Sequence, residues 1–541
     1  MLMTWLRDLT PKQQNLFVAA VTFLVWSPSL LGGFAWDDTN NLVDNARLQG
    51  WPALIEVFRH DAMWSAKMDQ AVIATYRPLS LASFVIDYQL FRGHAFGYHL
   101  SSVLWHALTT VVVFNLLKRF MAPLEAVAVT LFWAIHPIHN EAVAWINGRS
   151  EIFALLFGAL AALAATGRPL RGVTGLRELV VTACLLLAML GKESGAVFAG
   201  VAVLLSTQAP DLEGRGVKAR VLRGVVVALA GICAFALYGW VRSQVLTGGA
   251  FPGVDSGLGN QTLKGLSSGA AILLKCLQAL LVPIDLSVTY LYLWAGALTA
   301  TQKAVAWASL ALLSLVALSP LLRKRWVPTF MLLWWLASVL PVVPLALRDW
   351  PGFSRWLYLG GPGLWAGLYL LVRDDLPARP LRVFAAAVAA IFFVQTQRGI
   401  QIWKDSGTLW SRMVIEQPYE PYGWLSLAAW LDRQGDYVGA ERAALRTGEL
   451  KPRGHDPWGI LADAQARQGR CAEATQTATV DYPAMGRFGW LQSSIGYCWE
   501  KAGDKDKALE FYRKCEAELA YCKARITALA PSAPPPASAD D

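Results

Sequence analysis

Charge is scarce in this sequence. Asp, Glu, Lys and Arg make up 16% of its 541 residues and hydrophobic residues 55%, whereas soluble domains carry about 25% charged residues. That shortage excludes an ordinary soluble enzyme as a description of the whole chain. Cysteine is also sparse. There are seven, and none falls in a Cys-x-x-Cys, so the spacing that would suggest zinc is missing. No Ala-x-Ala-like cleavage site follows "MLMTWLRDLTPKQQ" and "NLFVAAVTFLVWSPSLLGGF", which together read as an uncleaved signal-anchor. An inverted repeat or a matched pair of Gly/Pro-broken spans, the mark of many transporters, is lacking too. The net charge is +9, but the basic residues stand in short clusters between apolar runs. That is orientation patterning, and no nucleic-acid partner is expected.

Long apolar runs are what the chain does have. They lie near 14–35, 98–117, 122–136, 150–167, 177–191, 194–208, 220–240, 301–320, 326–346, 355–372 and 381–399, about eleven spans, of which the third, fifth and sixth are short. With the N-terminus cytoplasmic, five basic clusters fall on the cytoplasmic side: Lys118/Arg119, Arg168/Arg171/Arg177, Arg215/Lys218/Arg220/Arg223, Arg323/Lys324/Arg325 and Arg373/Arg379/Arg382. This requires residues 261–290 to lie at the outer interface, as Lys264 and Lys275 favour. The alternative of twelve spans would push Arg323–Arg325 outside. The outer side then holds 36–97, 137–149, 241–300, 347–354 and everything beyond about 400.

Past residue 400 the apolar runs stop and a repeat begins. Gly435, Gly469 and Gly503 are 34 residues apart, as are Ala440, Ala474 and Ala508, and Trp424 and Trp458 share the spacing, with Pro452 closing the first unit. This is the tetratricopeptide period. The expected organisation is all-α: a polytopic helical bundle over 1–400 with outer loops 36–97 and 241–300, a linker 401–420, three repeats forming an α-solenoid over 421–522, and a helix end with a disordered tail over 523–541. Cys471, Cys498, Cys515 and Cys522 lie in the repeats. In an oxidising compartment they allow one or two disulfides, with three pairings open if all four join.

Polar groups concentrate on the expected outer face. "FAWDDTNNL" places Asp37 and Asp38 just after the first apolar run. "YRPLSLASF" holds Tyr76 and Arg77, and "GHAFGYHLSSVLWHA" holds His94, His99 and His106. "AIHPIHNEAVAWINGRSE" holds His136, His139, Glu141, Asn147, Arg149 and Glu151. "LGKESG" holds Lys192 and Glu193, and "GFSRWLYLGG" holds Arg355 and Tyr358. Ionisable groups at membrane depth are functional candidates because burying them is expensive. Each also has a plainer reading. Asp37/Asp38 could start a solvated loop, Lys192–Glu193 could be a paired turn, and the arginines could snorkel. His136 and His139 with Glu141 have spacing that could hold a divalent metal, but a proline intervenes and no fourth ligand is evident, so no cofactor is assigned. Together, acids beside cations suit transfer from a lipid phosphate. A carboxylate takes the acceptor's proton, while Arg and Lys hold the departing phosphate.

With "WDDTNNLVDN", "YRPLS", "GYHLSSVLWHA", "HPIHNEAVAWINGRSEIFALLF", "LGKESG", "LLVPIDLSVTY" and "SRWLYLG" in this order ahead of the repeats, the chain resembles the transmembrane and tetratricopeptide-repeat O-mannosyltransferases of the GT-C glycosyltransferase superfamily. The resemblance implies an extracytoplasmic, inverting glycosyltransferase using a polyprenyl-phosphate sugar. It implies a catalytic base in the Asp37/Asp38 pair, without ranking the two, and phosphate-binding roles for the basic groups of "LGKESG" and "SRWLYLG"; our own reading leans slightly to Asp38. Lys192 and Arg355, joined by Arg77 and Arg149, are the donor-phosphate candidates. His136, His139, Glu141, Glu193, Tyr358 and His99 complete the candidate site. One departure is Ser354 before Arg355, where the family commonly has Glu. The compact chain looks bacterial, which favours undecaprenyl phosphate, an inner-membrane location with a periplasmic repeat domain, and a protein Ser/Thr or envelope acceptor. A non-enzymatic scaffold recruiting envelope partners through the repeats is the rival reading.

Overall fold

The first apolar run becomes a helix because its start is capped twice over. The Thr10 hydroxyl accepts from the Gln13 N–H, the Gln13 side chain accepts from the Thr10 N–H, and Pro11 takes the first helical position. The computed structural model describes residues 8–62, 75–168, 175–246, 258–283, 299–322, 324–341, 354–451, 456–483 and 488–529. Of the features read from the sequence, Arg171, Arg323, Pro452, the tail from 530 and parts of the outer stretches (63–74, 247–257, 284–298, 347–353) lie outside these residues. The chain divides into two compact units, Met1–Asp405 and Ser406–Asp541, and among the described residues both are helical with no strand.

The first unit contains α1 (Pro11–Trp26), α2 (Pro78–Phe91), α3 (Ala95–Leu117), α4 (Pro123–Ala134), α5 (Arg149–Ala165), α6 (Leu176–Gly191), α7 (Val197–Ser206), α8 (Val217–Val245), α9 (Leu258–Leu281), α10 (Ala300–Leu322), α11 (Trp326–Val339), α12 (Gly361–Val372) and α13 (Ala378–Ile402). Among the described residues, seven stretches are helical, long and apolar enough to cross a membrane: Pro11–Leu31, Ala95–Leu117, Ile146–Ala165, Glu193–Leu212, Val217–Val245, Ala300–Leu322 and Ala378–Ile402. This is a multi-pass membrane protein. The other four of the eleven apolar segments are α4, α6, α11 and α12, of 12, 16, 14 and 12 residues, short of the ~20 that a span needs. Local chemistry cuts them. Pro123 starts α4, the backbone turns extended at Lys192 after α6 (φ −161°, ψ 143°), and Pro362 sits at the start of α12.

Helix α9, in the stretch expected at the outer interface, packs through its C-terminal half. Ile272, Leu273, Cys276, Ala279 and Leu280 pack on Trp335, Leu357 and Leu364. Elsewhere buried polar groups tie helices together. The Ala134 carbonyl at the end of α4 accepts from Trp26 Nε1 of α1 (2.9 Å) and His106 Nε2 of α3 (3.1 Å). Since Nε2 must donate, His106 Nδ1 accepts, and it does so from the Tyr358 hydroxyl at 2.7 Å.

The second unit contains α14 (Ser406–Glu416), α15 (Pro421–Gln434), α16 (Tyr437–Leu450), α17 (Asp456–Arg467), α18 (Cys471–Gln476), α19 (Gly489–Lys501), α20 (Lys505–Cys515) and α21 (Ala520–Leu529). The 34-residue spacing has a visible cause. Gly435, Gly469 and Gly503 each follow the first helix of a pair with φ of 81°, 80° and 85°, a left-handed turn that disfavours side chains. Ala440, Ala474 and Ala508 are fully buried. Disulfides join Cys471 to Cys498 and Cys515 to Cys522, selecting one of the three pairings. The first closes 27 residues of sequence, which on chain-entropy grounds stabilises by about 3.5 kcal/mol. Replacing Cys471 and Cys498 together by Ser in the full chain should lower the unfolding free energy of this unit by that order, read from the denaturant midpoint of its transition. An unchanged midpoint would mean that the bond does not constrain the unfolded unit.

Candidate active site

After α1 the chain is pinned before it reaches its two acids. His99 of α3, buried at 1% exposure, donates from Nε2 to the Gly33 carbonyl (3.0 Å), and the Gly33 N–H donates to the Lys404 carbonyl (2.7 Å). Trp36 then adopts a left-handed backbone, φ 57°, a strained choice for a bulky residue. Its indole stacks on Trp145 at 4.9 Å, with Trp403 against both rings, and these contacts hold the strained turn in place.

Asp37 and Asp38 come next, and their surroundings differ. Asp38 is fully buried, with both oxygens committed. Oδ1 accepts from the Asn147 N–H (3.1 Å) and Nδ2 (2.9 Å), and Oδ2 from the Ala35 N–H (3.1 Å). Asp37 is half-buried and has a longer contact, 3.3 Å from Asn147 Nδ2. Burial pushes the Asp37 carboxyl up to about 6, while the Arg355 charge and hydrogen bonds from Asn147 and Asn41 hold it back. Burial and the adjacent Asp37 charge push Asp38 well above the carboxylate range. Asp38 is thus the more deeply held of the two, and Asp37 the more accessible.

Asn147 reaches the pair because the loop between α4 and α5 folds on itself. A Cβ on Gly148 would lie 2.1 Å from the Glu141 carbonyl. In the same loop, Glu141 is fully buried and grips the 354–357 turn. Its Oε2 accepts from the Ser354 hydroxyl (2.8 Å) and the Arg355 N–H (2.9 Å), and its Oε1 pairs with the Arg355 guanidinium. The carboxylate that the sequence lacks at position 354 thus arrives from another element. Arg355 also lies over the rings of Trp145 (4.8 Å) and Trp36 (5.6 Å).

The remaining candidates separate into two sets. Lys192 pairs with buried Glu151, and Glu193 accepts from Arg77 Nε at 3.1 Å. The extended backbone at Lys192 sends the two side chains to different partners, so they are not a mutually paired turn. Lys192 lies within electrostatic reach of both Arg77 and Arg355, which joins this group to the acid pair. Arg149 is different. It is fully buried, bonded to Asp87 (2.6 Å), Ser83 (3.0 Å), Ser102 (3.2 Å) and the Tyr98 carbonyl (2.7 Å). All three of its nitrogens are engaged within the protein.

Tyr358, His136 and His139 are also fully buried. His136 Nδ1 accepts from the Ile138 N–H (3.0 Å), so its Nε2 donates to the Leu280 carbonyl (2.8 Å), and no ring lone pair is left for a metal. His139 Nε2 donates to the Trp133 carbonyl (2.9 Å), and burial holds both rings neutral, His136 at about 3. Sequence reasoning left Asn147 among the loop residues and missed Trp36, Trp403 and Arg242. A lone Arg near a span end, as in "YGWVRSQ", carries the same signal as a snorkelling one. A cavity of about 140 Å³, lined by Gly32, His99, Ala144, Trp403 and Lys404 among others, opens beside the Trp cluster.

Comparison with known proteins bears on this arrangement. No known family profile matches the chain. It is 32% identical over 155 residues to the human Protein O-mannosyl-transferase TMTC3, covering 29% of this chain and 17% of that protein. Mouse TMTC4 matches at 32% over 171 residues (29% and 23%), and mouse TMTC1 at 29% over 218 (38% and 23%). The chain's curated relatives are the TMTC O-mannosyl-transferases. It spans only about a fifth of the length of these relatives. A crystal structure of the Archaeoglobus fulgidus oligosaccharyltransferase tethered to an acceptor peptide aligns over 72% of this chain and 54% of its own, with a TM-score of 0.37 and 13% identity, too slight a likeness to carry an argument.

Proposed function

We propose that this protein is a glycosyltransferase that moves a sugar from a polyprenyl-phosphate donor to a hydroxyl acceptor, with Asp37 as the base. One observation carries the reading. A reachable carboxyl, raised to about 6 by burial, lies within the field of Arg355 beside a bank of membrane-edge cations. At neutral pH such a group is ionised yet basic enough to take a proton. The acceptor O–H gives its proton to Asp37 as the oxygen bonds to the anomeric carbon. The bond from that carbon to the phosphate oxygen breaks, and the phosphate leaves with the electron pair. Arg355, Lys192 and Arg77 offset the charge on that phosphate.

The relatives' name supports a protein Ser/Thr acceptor and mannose as the first sugar to try. The second unit, read as tetratricopeptide repeats, would present the acceptor on a helical-repeat surface. Trp458 is in its core, whereas Trp490 is 48% exposed and open to a ligand. Its disulfides suit an oxidising compartment and so an extracytoplasmic side. The test is direct. Purified chain, undecaprenyl-phosphate mannose and a Ser/Thr-rich peptide should yield a glycopeptide with one added hexose by mass spectrometry. If neither glycopeptide nor donor consumption is found with this or other lipid-phosphate hexoses, the enzyme reading fails.

A further inference from the structure

Arg242 belongs to no motif read from the sequence. It stands in the last turn of α8, buried at 5% exposure. Its Nη1 donates to the Tyr238 hydroxyl at 3.0 Å and lies 3.5 Å from Glu193 Oε1. The other Glu193 oxygen accepts from Arg77 Nε. One carboxylate, on the short turn between α6 and α7, therefore bridges guanidiniums delivered by two other parts of the chain. The neighbouring Lys192 is held by Glu151.

The carboxylates differ in one decisive respect. The Glu141 and Glu151 side chains are sealed, at 0% and 1% exposure, whereas Glu193 is 29% exposed and its partner Arg77 31%. Of these three clamps, only the one at Glu193 is open to an incoming anion. Carboxylate and phosphate compete for the same guanidinium geometry. Buried guanidiniums without an anion are costly, so an empty phosphate site built from them needs a resident acid.

Building on the lipid-phosphate donor reading, we propose that Arg77 and Arg242 form the phosphate clamp and that Glu193 occupies it until the donor's phosphate takes its place. Arg242 then joins the donor site, and Glu193 is an exchangeable stand-in for the ligand. Binding of undecaprenyl phosphate to the full chain in nanodiscs tests this without any transfer reaction. Glu193→Gln should bind the probe roughly 3- to 10-fold more tightly than wild type, and Arg242→Gln roughly 10-fold or more weakly. Arg242→Lys should fall between and gives the reading if the Gln variant does not fold. Weaker binding by folded Glu193→Gln, or unchanged binding by the Arg242 variants, would overturn the exchange. Absence of binding by the wild type would instead bring down the donor reading beneath it.

Discussion

Asp37→Asn should lower kcat by roughly 10²–10⁴ while leaving the thermal unfolding of the protein close to wild type. The amide keeps the size of the side chain and its contact to Asn147, and removes only the capacity to take a proton. Asp38→Asn should behave differently. Asp38 holds the Ala35 and Asn147 N–H groups with two separate oxygens, and an amide has one acceptor to offer. That variant should lose stability as well as activity. Steady-state kinetics beside thermal unfolding in detergent separates the two. A fully active Asp37→Asn would remove the base from the account, and an inactive but equally stable Asp38→Asn would move the role to Asp38.

Arg149→Met should destabilise the membrane unit by about 3–5 kcal/mol, because Asp87 would be left as a buried charge without its partner. Asp87 is 3% exposed and Arg149 fully buried. Replacing both, Arg149→Met with Asp87→Leu, should recover much of the loss, since a buried ion pair exchanged for apolar groups of similar volume is often near neutral. Thermal unfolding of the two variants decides it. A stable Arg149→Met with a raised donor KM would make Arg149 a phosphate ligand after all.

Periodicity carries far in this chain. The 34-residue recurrence of Gly435, Gly469 and Gly503 could be read from spacing alone, because a left-handed turn penalises every other residue type in the same way. The long spans were legible for a similar reason, since twenty apolar residues have few other uses. Hydropathy does not see where a helix is cut, and α4, α6 and α12 are ended or started by single residues such as Pro123, Lys192 and Pro362. The candidate site was legible as a list of residues and not as a set of pairs. Nothing in "LGKESG" says that Lys192 goes to Glu151 and Glu193 to Arg77. Nothing in "INGRSE" separates Asn147, which reaches the acid pair, from Arg149, which faces the core two positions on. Those assignments depend on which helices meet, and contacts such as Glu141 to Arg355, across more than two hundred residues, leave no local trace.

The dependence of kcat/KM on pH tests the central claim most directly. With Asp37 required as the ionised base and its carboxyl near 6, the logarithm of kcat/KM should be level near neutrality and fall with unit slope below about pH 6. The Arg355 charge lowers the Asp37 value, so in Arg355→Gln the fall should begin at higher pH, whatever that variant loses in absolute rate. A profile that stays flat down to pH 5, or whose acid limb does not move when Arg355 is neutralised, would contradict the account.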